Sequence, residues 1–177
     1  LLTHASLVLE GLTLVSRPPR DAGRAGRAPI PLLSVEDAAF LTAHCRFEMA
    51  DGGGQDGPRH RGVLRLENVP VARVLNCKFI SRTAYGLHWS RLPPPAAGTV
   101  HHQLLVQGSL VDGNFLSYTD RVIEASNLEL RQNTFAGDTL FLRIGPDRDL
   151  PLPIRASQNV FALGLLLRRG GRDPGES

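Results

Sequence analysis

A chain of 177 residues, 42% hydrophobic and 21% charged, is long enough for one domain with a buried core, and it contains no apolar run of the ~18 residues that would span a membrane. The net charge of +3 comes from 19 arginines and one lysine, Lys78, scattered over separate loops and the tail rather than gathered on one groove. That distribution suits a GC-rich genome and argues against a nucleic-acid partner.

The opening residues Leu1-Leu2-Thr3-His4 carry neither a Met nor a basic stretch leading into an apolar one, so no signal peptide is expected in this segment. Any export signal would lie upstream or have been removed. Ser6 to Val15 alternates apolar and polar residues and reads as strand, followed by an arginine-rich loop over 16–30. The window Ser34 to Met49 has two readings. Ser34 and Asp37 stand at capping-box spacing before good helix formers, yet Val35 to Phe47 within this window lies in register with Ile123 to Phe135, both 13 residues long, and the register favours strands. A glycine-rich loop over 50–62 precedes the alternating stretches Val63 to Asn68 and Val71 to Phe79. A proline loop over 91–99 follows the aromatic cluster Tyr85-Gly86-Leu87-His88-Trp89. Alternation returns over Arg121 to Ser126 and Leu128 to Phe135. The chain closes on Phe161 to Leu167 and an Arg- and Gly-rich stretch, 168–177, that reads as a flexible tail.

Five segments superpose: His44-Cys45-Arg46-Phe47, Asn76-Cys77-Lys78-Phe79, Asp112-Gly113-Asn114-Phe115, Gln132-Asn133-Thr134-Phe135 and Gln158-Asn159-Val160-Phe161. The intervals between their Phe residues are 32, 36, 20 and 26. The long intervals contain the glycine and proline loops, and the shortest contains neither. Uneven repeats with insertions confined to loops describe a β-solenoid better than a helical repeat.

On these segments the chain, from Ser6 to Leu167, resembles the pectate-lyase-like superfamily of right-handed parallel β-helices. The resemblance implies an all-β, right-handed parallel β-helix of about six irregular coils, with residues 1–167 as a single domain. Like positions would then form ladders: Phe47, Phe79, Phe115, Phe135 and Phe161 inside, and Cys45, Cys77, Asn133 and Asn159 at the turns. An Asn at such a turn can bond the backbone of the adjoining coil. In-register cysteines point the same way, a poor geometry for a disulfide, so Cys45 and Cys77 are expected as buried free thiols.

Enzymes of that superfamily carry clustered acidic residues, often Asp, on the outside of one sheet. Here the nearest feature is a ladder of Glu10, Glu36, Glu67 and Glu124 with Gln103 between. From it Glu36, Glu67 and Glu124 are the catalytic candidates, against the plainer reading of a solvated strand face. Tyr85 and Trp89 are candidates for stacking on a sugar, or else core packing. His101 and His102 are adjacent on a strand and point to opposite faces, so no metal site is expected. Gly52-Gly53-Gly54 runs into Gln55-Asp56 and not into a phosphate-binding Lys-Ser/Thr, so no cofactor is expected either.

The leading expectation is a non-catalytic structural or adhesive module, exported by a bacterium to the cell surface or beyond. With no capping helix ahead of Ser6, its open N-terminal edge would meet other copies of itself or adjoining coils of a longer chain. The alternatives are a polysaccharide lyase or hydrolase acting through Glu67, or a sugar-binding module.

Overall fold

The computed structural model describes residues 6–16, 31–49, 62–81, 85–91, 102–120, 126–144 and 152–169, and every regular element among them is a β-strand. The expected loops over 16–30, 50–62 and 91–99 fall almost wholly outside the described residues, as does 170–177.

The strands come in sets that trace successive coils. Coil 1 holds β1 (Ser6–Glu10), β2 (Thr13–Ser16) and β3 (Leu33–Glu36). Coil 2 holds β4 (Ala39–Ala43), β5 (Arg46–Met49) and β6 (Gly62–Glu67). Coil 3 holds β7 (Val71–Leu75), β8 (Lys78–Ser81) and β9 (Tyr85–Arg91). Coil 4 holds β10 (His102–Gln107), β11 (Leu110–Gly113) and β12 (Leu116–Asp120). In coils 5 and 6 the second and third strands fuse: β13 (Ser126–Arg131) leads to β14 (Thr134–Ile144), and β15 (Ile154–Ser157) to β16 (Val160–Arg169). β16 therefore runs two residues into the segment expected as tail.

The pairings described are all parallel, and each strand pairs with its counterparts one coil away. First strands stack as β1-β4-β7-β10-β13-β15, which we term face A. Second strands stack as β2-β5-β8-β11 onto the first part of β14 (face B). Third strands stack as β3-β6-β9-β12 onto its last part (face C). A register shift between Gly137 and Leu140 carries β14 and β16 round the bend between B and C. This is the strand order of an all-β, parallel solenoid.

Alternation explains why the residues 34–49 form strands rather than a helix. Phe40 and Thr42 on β4, and Phe47 and Met49 on β5, are buried at period two, while the residues between them are not. A helix would bring that set to several sides at once. Parallel partners on both flanks of β4 and β5 supply the hydrogen bonds that the helix would otherwise make internally.

Inside, like positions form columns. On face B the column is Leu14, Phe47, Phe79, Val111, Phe135 and Phe161. The rings of Phe47 and Phe79 stack at 5.0 Å and 9°, and those of Phe135 and Phe161 at 5.1 Å and 13°. Phe115 is not a member of this column. Val111 holds the coil-4 position, between Phe79 and Phe135, and the column intervals after Phe47 become 32, 32, 24 and 26. Valine is smaller than Phe, and Phe115, just past β11, packs into the core instead, 4.9 Å from the Phe135 ring at a tilt of 58°. On face C a second column, Leu33, Leu64, Leu87 and Leu116, continues in register to positions 142 and 167, both also Leu.

The corner between faces A and B is the most regular feature of the chain. One residue per coil has positive φ there: Gly11, His44, Asn76, Gly108, Gln132 and Gln158. This left-handed conformation turns the chain within two residues, and it costs least for Gly and Asn. The following residue, at Cys45, Cys77, Ser109 or Asn133, tucks its side chain under the corner, and the exposed Leu12 and half-buried Asn159 hold the same position in coils 1 and 6. A backbone N–H there is satisfied from the next coil: Cys77 N–H donates to Ser109 Oγ at 3.0 Å, Ser109 N–H to Asn133 Oδ1 at 2.9 Å, and Asn133 N–H to Asn159 Oδ1 at 2.9 Å. The amides also donate, Asn133 Nδ2 to Val106 O at 2.9 Å and Asn159 Nδ2 to Leu130 O at 3.0 Å. Cys45 and Cys77 are free and buried.

Candidate functional site

Because alternate residues of each strand point outward, the solenoid offers three ladders of solvent-side residues, one per face. The acidic ladder read from the sequence is divided among them. Glu36 and Glu67 are register partners on face C. Glu10 lies on face A opposite Ala43, and Gln103 lies on face A between Val71 and Asn127. Glu124 falls outside the described residues. A four-carboxylate column is therefore not formed among the described residues. Period-two alternation shows that a residue points out, but not on which of three faces it stands.

Glu67 is the most enclosed of these carboxylates. Its side chain is 8% exposed and is clamped by Arg65, two residues earlier on the same side of β6. Ser90, its partner on β9, and Ser117 on β12 are buried as well. A carboxylate held this way is engaged by the guanidinium, and little of it is presented to a substrate. Among the described residues no group of three or more His, Cys, Asp or Glu could hold a metal ion. His102 is buried at the start of β10, and His101 lies outside the described residues.

Tyr85 and Trp89 both face inward on β9. Trp89 is fully buried, in register with Leu66 and Tyr118, and its ring lies 5.1 Å from that of Tyr118. Neither ring is available to stack on a sugar. The reason is their position relative to Leu87: all three share the inward phase of β9.

A concavity lies on the outside of face A, a groove of about 330 Å³ that includes Arg73, Gln103, Leu105, Asn127, Glu129 and Arg155 in its lining. Four of these form one column, Arg73 beside Leu105, Leu105 beside Glu129, and Glu129 beside Arg155. Val71, Gln103 and Asn127 form the column next to it. Glu129 is bound by Arg131, with Nε at 2.9 Å and Nη2 at 2.5 Å. None of these residues but Gln103 stands out in the sequence. A usable signal was present, however. A strand arginine with an acidic residue two positions away is self-neutralised, as Arg46 is by Glu48 at 2.6 Å, and Arg73 and Arg155 have no such neighbour.

No protein-family model, curated protein or solved structure matches this chain. No described helix is long and apolar enough to cross a membrane. The functional reading therefore rests on the geometry alone.

Proposed function

We propose that this chain is a non-catalytic structural module, a right-handed parallel β-helix of the pectate-lyase-like kind, that assembles end to end through its terminal coils. One observation carries the reading: apolar residues of the terminal coils face solvent. On the coil-6 edge Phe161 is 42% and Val160 58% exposed, and on the coil-1 edge Leu12 is 45% exposed. Phe161 stacks on Phe135 at the end of the face-B column. Edge strands with apolar side chains pair readily with further strands, and a solenoid propagates by adding coils to such an edge. The occupant that continues the columns is coil 1 of a second copy, whose Leu14 stands at the face-B position over which Phe161 would close. Contact between unlike ends is heterologous, and it leads to open chains of subunits rather than closed dimers. The buried, Arg-clamped state of Glu67 favours this structural role over the polysaccharide-cleaving one. The reading includes export to the cell surface or beyond.

Light scattering and negative-stain electron microscopy across a concentration series test the reading. Concentration-dependent linear particles are expected, and Phe161→Asp should return them to monomers with an unchanged circular dichroism spectrum. A monomer at all concentrations would sink it, whereas compact dimers insensitive to Phe161→Asp would point to another interface.

A further inference from the structure

We infer that Cys45 and Cys77 form a two-sulfur site that holds one soft cation, of the Cu(I) or Hg(II) kind, in line between coils 2 and 3. They are the two cysteines of the chain, both buried and both free. They occupy the same corner position on adjoining coils. Arg46 and Lys78, which follow them, are register partners, and Lys78 N–H donates to Cys45 O at 2.8 Å. The residues before them, His44 and Asn76, turn with φ of 55° and 51°. Each thiol donates to the carbonyl two residues earlier in its own coil, Ala43 O and Leu75 O, at 3.3 Å in both cases. Backbone, register and side-chain contact all match, so one sulfur is the other moved by one coil, about 4.8 Å along the solenoid axis.

That distance selects the chemistry. A disulfide needs its sulfurs at about 2.05 Å, so closing one would pull both thiols off their carbonyls. A metal–thiolate bond is about 2.3 Å long, and two of them in line span about 4.6 Å, close to one coil step. Linear coordination by two thiolates suits soft, filled-shell cations. Zn(II) takes four ligands, and among the described residues no group of three His, Cys, Asp or Glu gathers to hold it. Bridging displaces both thiol protons without a change of oxidation state. Hg(II) gives a neutral S–Hg–S unit and two protons, and Cu(I) a singly negative S–Cu–S unit and two protons. Burial pushes the Cys77 thiol up, and a charge on Cys45 pushes it the same way. Two bare thiolates therefore oppose each other, and a cation between them removes that cost. Access is short, because His44 and Asn76 are exposed and each thiol lies one residue beneath them. The bridge gives coils 2 and 3 the tie that Asn133 gives coils 4 and 5 through Ser109.

Anaerobic titration of the reduced chain with Cu(I) and, separately, Hg(II) tests the site, with glutathione present to strip cations from single thiols. One cation per chain is expected, with release of about two protons and a rise in melting temperature. X-ray absorption should show two sulfur neighbours at about 2.3 Å and no third ligand. Cys45→Ser and Cys77→Ser should each weaken binding by about a hundredfold or more. Serine fits this corner, as Ser109 shows in coil 4, so both variants should fold. Zn(II) should bind the parent no better than Cys45→Ser. Retention of Hg(II) alone assigns the neutral bridge, and retention of Cu(I) shows that the corner accepts the anionic one. Overturning results are no binding of either cation, two cations per chain, or a three- or four-coordinate centre. Binding that survives either serine variant, Zn(II) held as firmly as the soft cations, or a Cys45–Cys77 disulfide on mild oxidation would equally sink the idea. The bridge lies away from the terminal edges, and the Phe161→Asp monomer should bind unchanged.

Discussion

The corners between faces A and B share one backbone conformation but use two chemistries. In coils 4 to 6 the corner side chains Ser109, Asn133 and Asn159 reach across to the coil before them and accept its backbone N–H at 2.9–3.0 Å. In coils 2 and 3 the corresponding thiols donate within their own coil, Cys45 Sγ to Ala43 O and Cys77 Sγ to Leu75 O, each at 3.3 Å. Among the described residues the only side-chain link from Cys77 to the preceding coil is a long contact with Thr42 Oγ1 at 3.7 Å. A thiol is a weak donor and a weak acceptor, so the cysteine corners fill space without tying coils together. The left-handed residue makes the turn in both halves. What differs is how firmly one coil is fastened to the next.

The sharpest test of that contrast is Asn133→Ala. It would strand the buried Ser109 N–H and remove a second donor from the Val106 C=O, and at about 1–3 kcal/mol for the unsatisfied group plus about 1 kcal/mol for the lost hydrogen bond the loss should reach roughly 2–4 kcal/mol in urea denaturation. If Cys77→Ala cost as much, the distinction between the two halves would fall. Ser109→Ala should cost about 1–2 kcal/mol, because it removes the acceptor for Cys77 N–H and a donor to Gln107 O. Gly108→Ala should cost about 1 kcal/mol. Its φ of 64° disfavours a side chain, and the new Cβ would collide with Oδ1 of Asn76, an exposed residue whose side chain can move aside.

The smallest effect is the dependence on alkaline pH. Burial pushes the Cys77 thiol above its ordinary range, against weaker downward pulls from hydrogen bonds with the Cys45 backbone and Thr42. The unfolded chain therefore releases this proton first. Nothing is lost below the ordinary thiol pKa of about 8.5, and stability falls as pH rises above it toward the raised native value. Melting temperatures of Cys77→Ser should decline less steeply than the parent's across that range.

The sequence carried the solenoid pattern because Phe47, Phe79, Phe135 and Phe161 are rare enough to anchor a repeat. The same reliance on Phe misplaced coil 4. Gly113-Asn114-Phe115 mimics the motif, whereas the residues that make the corner, Gly108-Ser109-Leu110-Val111, contain no aromatic. The constant element is a left-handed backbone, and Gly, His, Asn and Gln all adopt it here, so no single residue type marks it. The leucine column through 33, 64, 87 and 116 was illegible for the opposite reason. Leu occupies so many strand positions that its uneven spacing does not stand out. For the groove, Arg73 and Arg155 are far apart in sequence, and only the stacking of β7, β10, β13 and β15 brings them into one column.

The corner hydrogen bonds also have a direction. The Cys77, Ser109 and Asn133 N–H groups are each answered by a side chain from the coil that follows. During synthesis the N-terminal coils emerge first, so a corner stays unsatisfied until another 24 to 32 residues have left the ribosome and docked, a wait of a few seconds at ~5–20 residues per second. Each coil is thus finished by its successor, and a nascent chain halted between coils would hold its newest corner open.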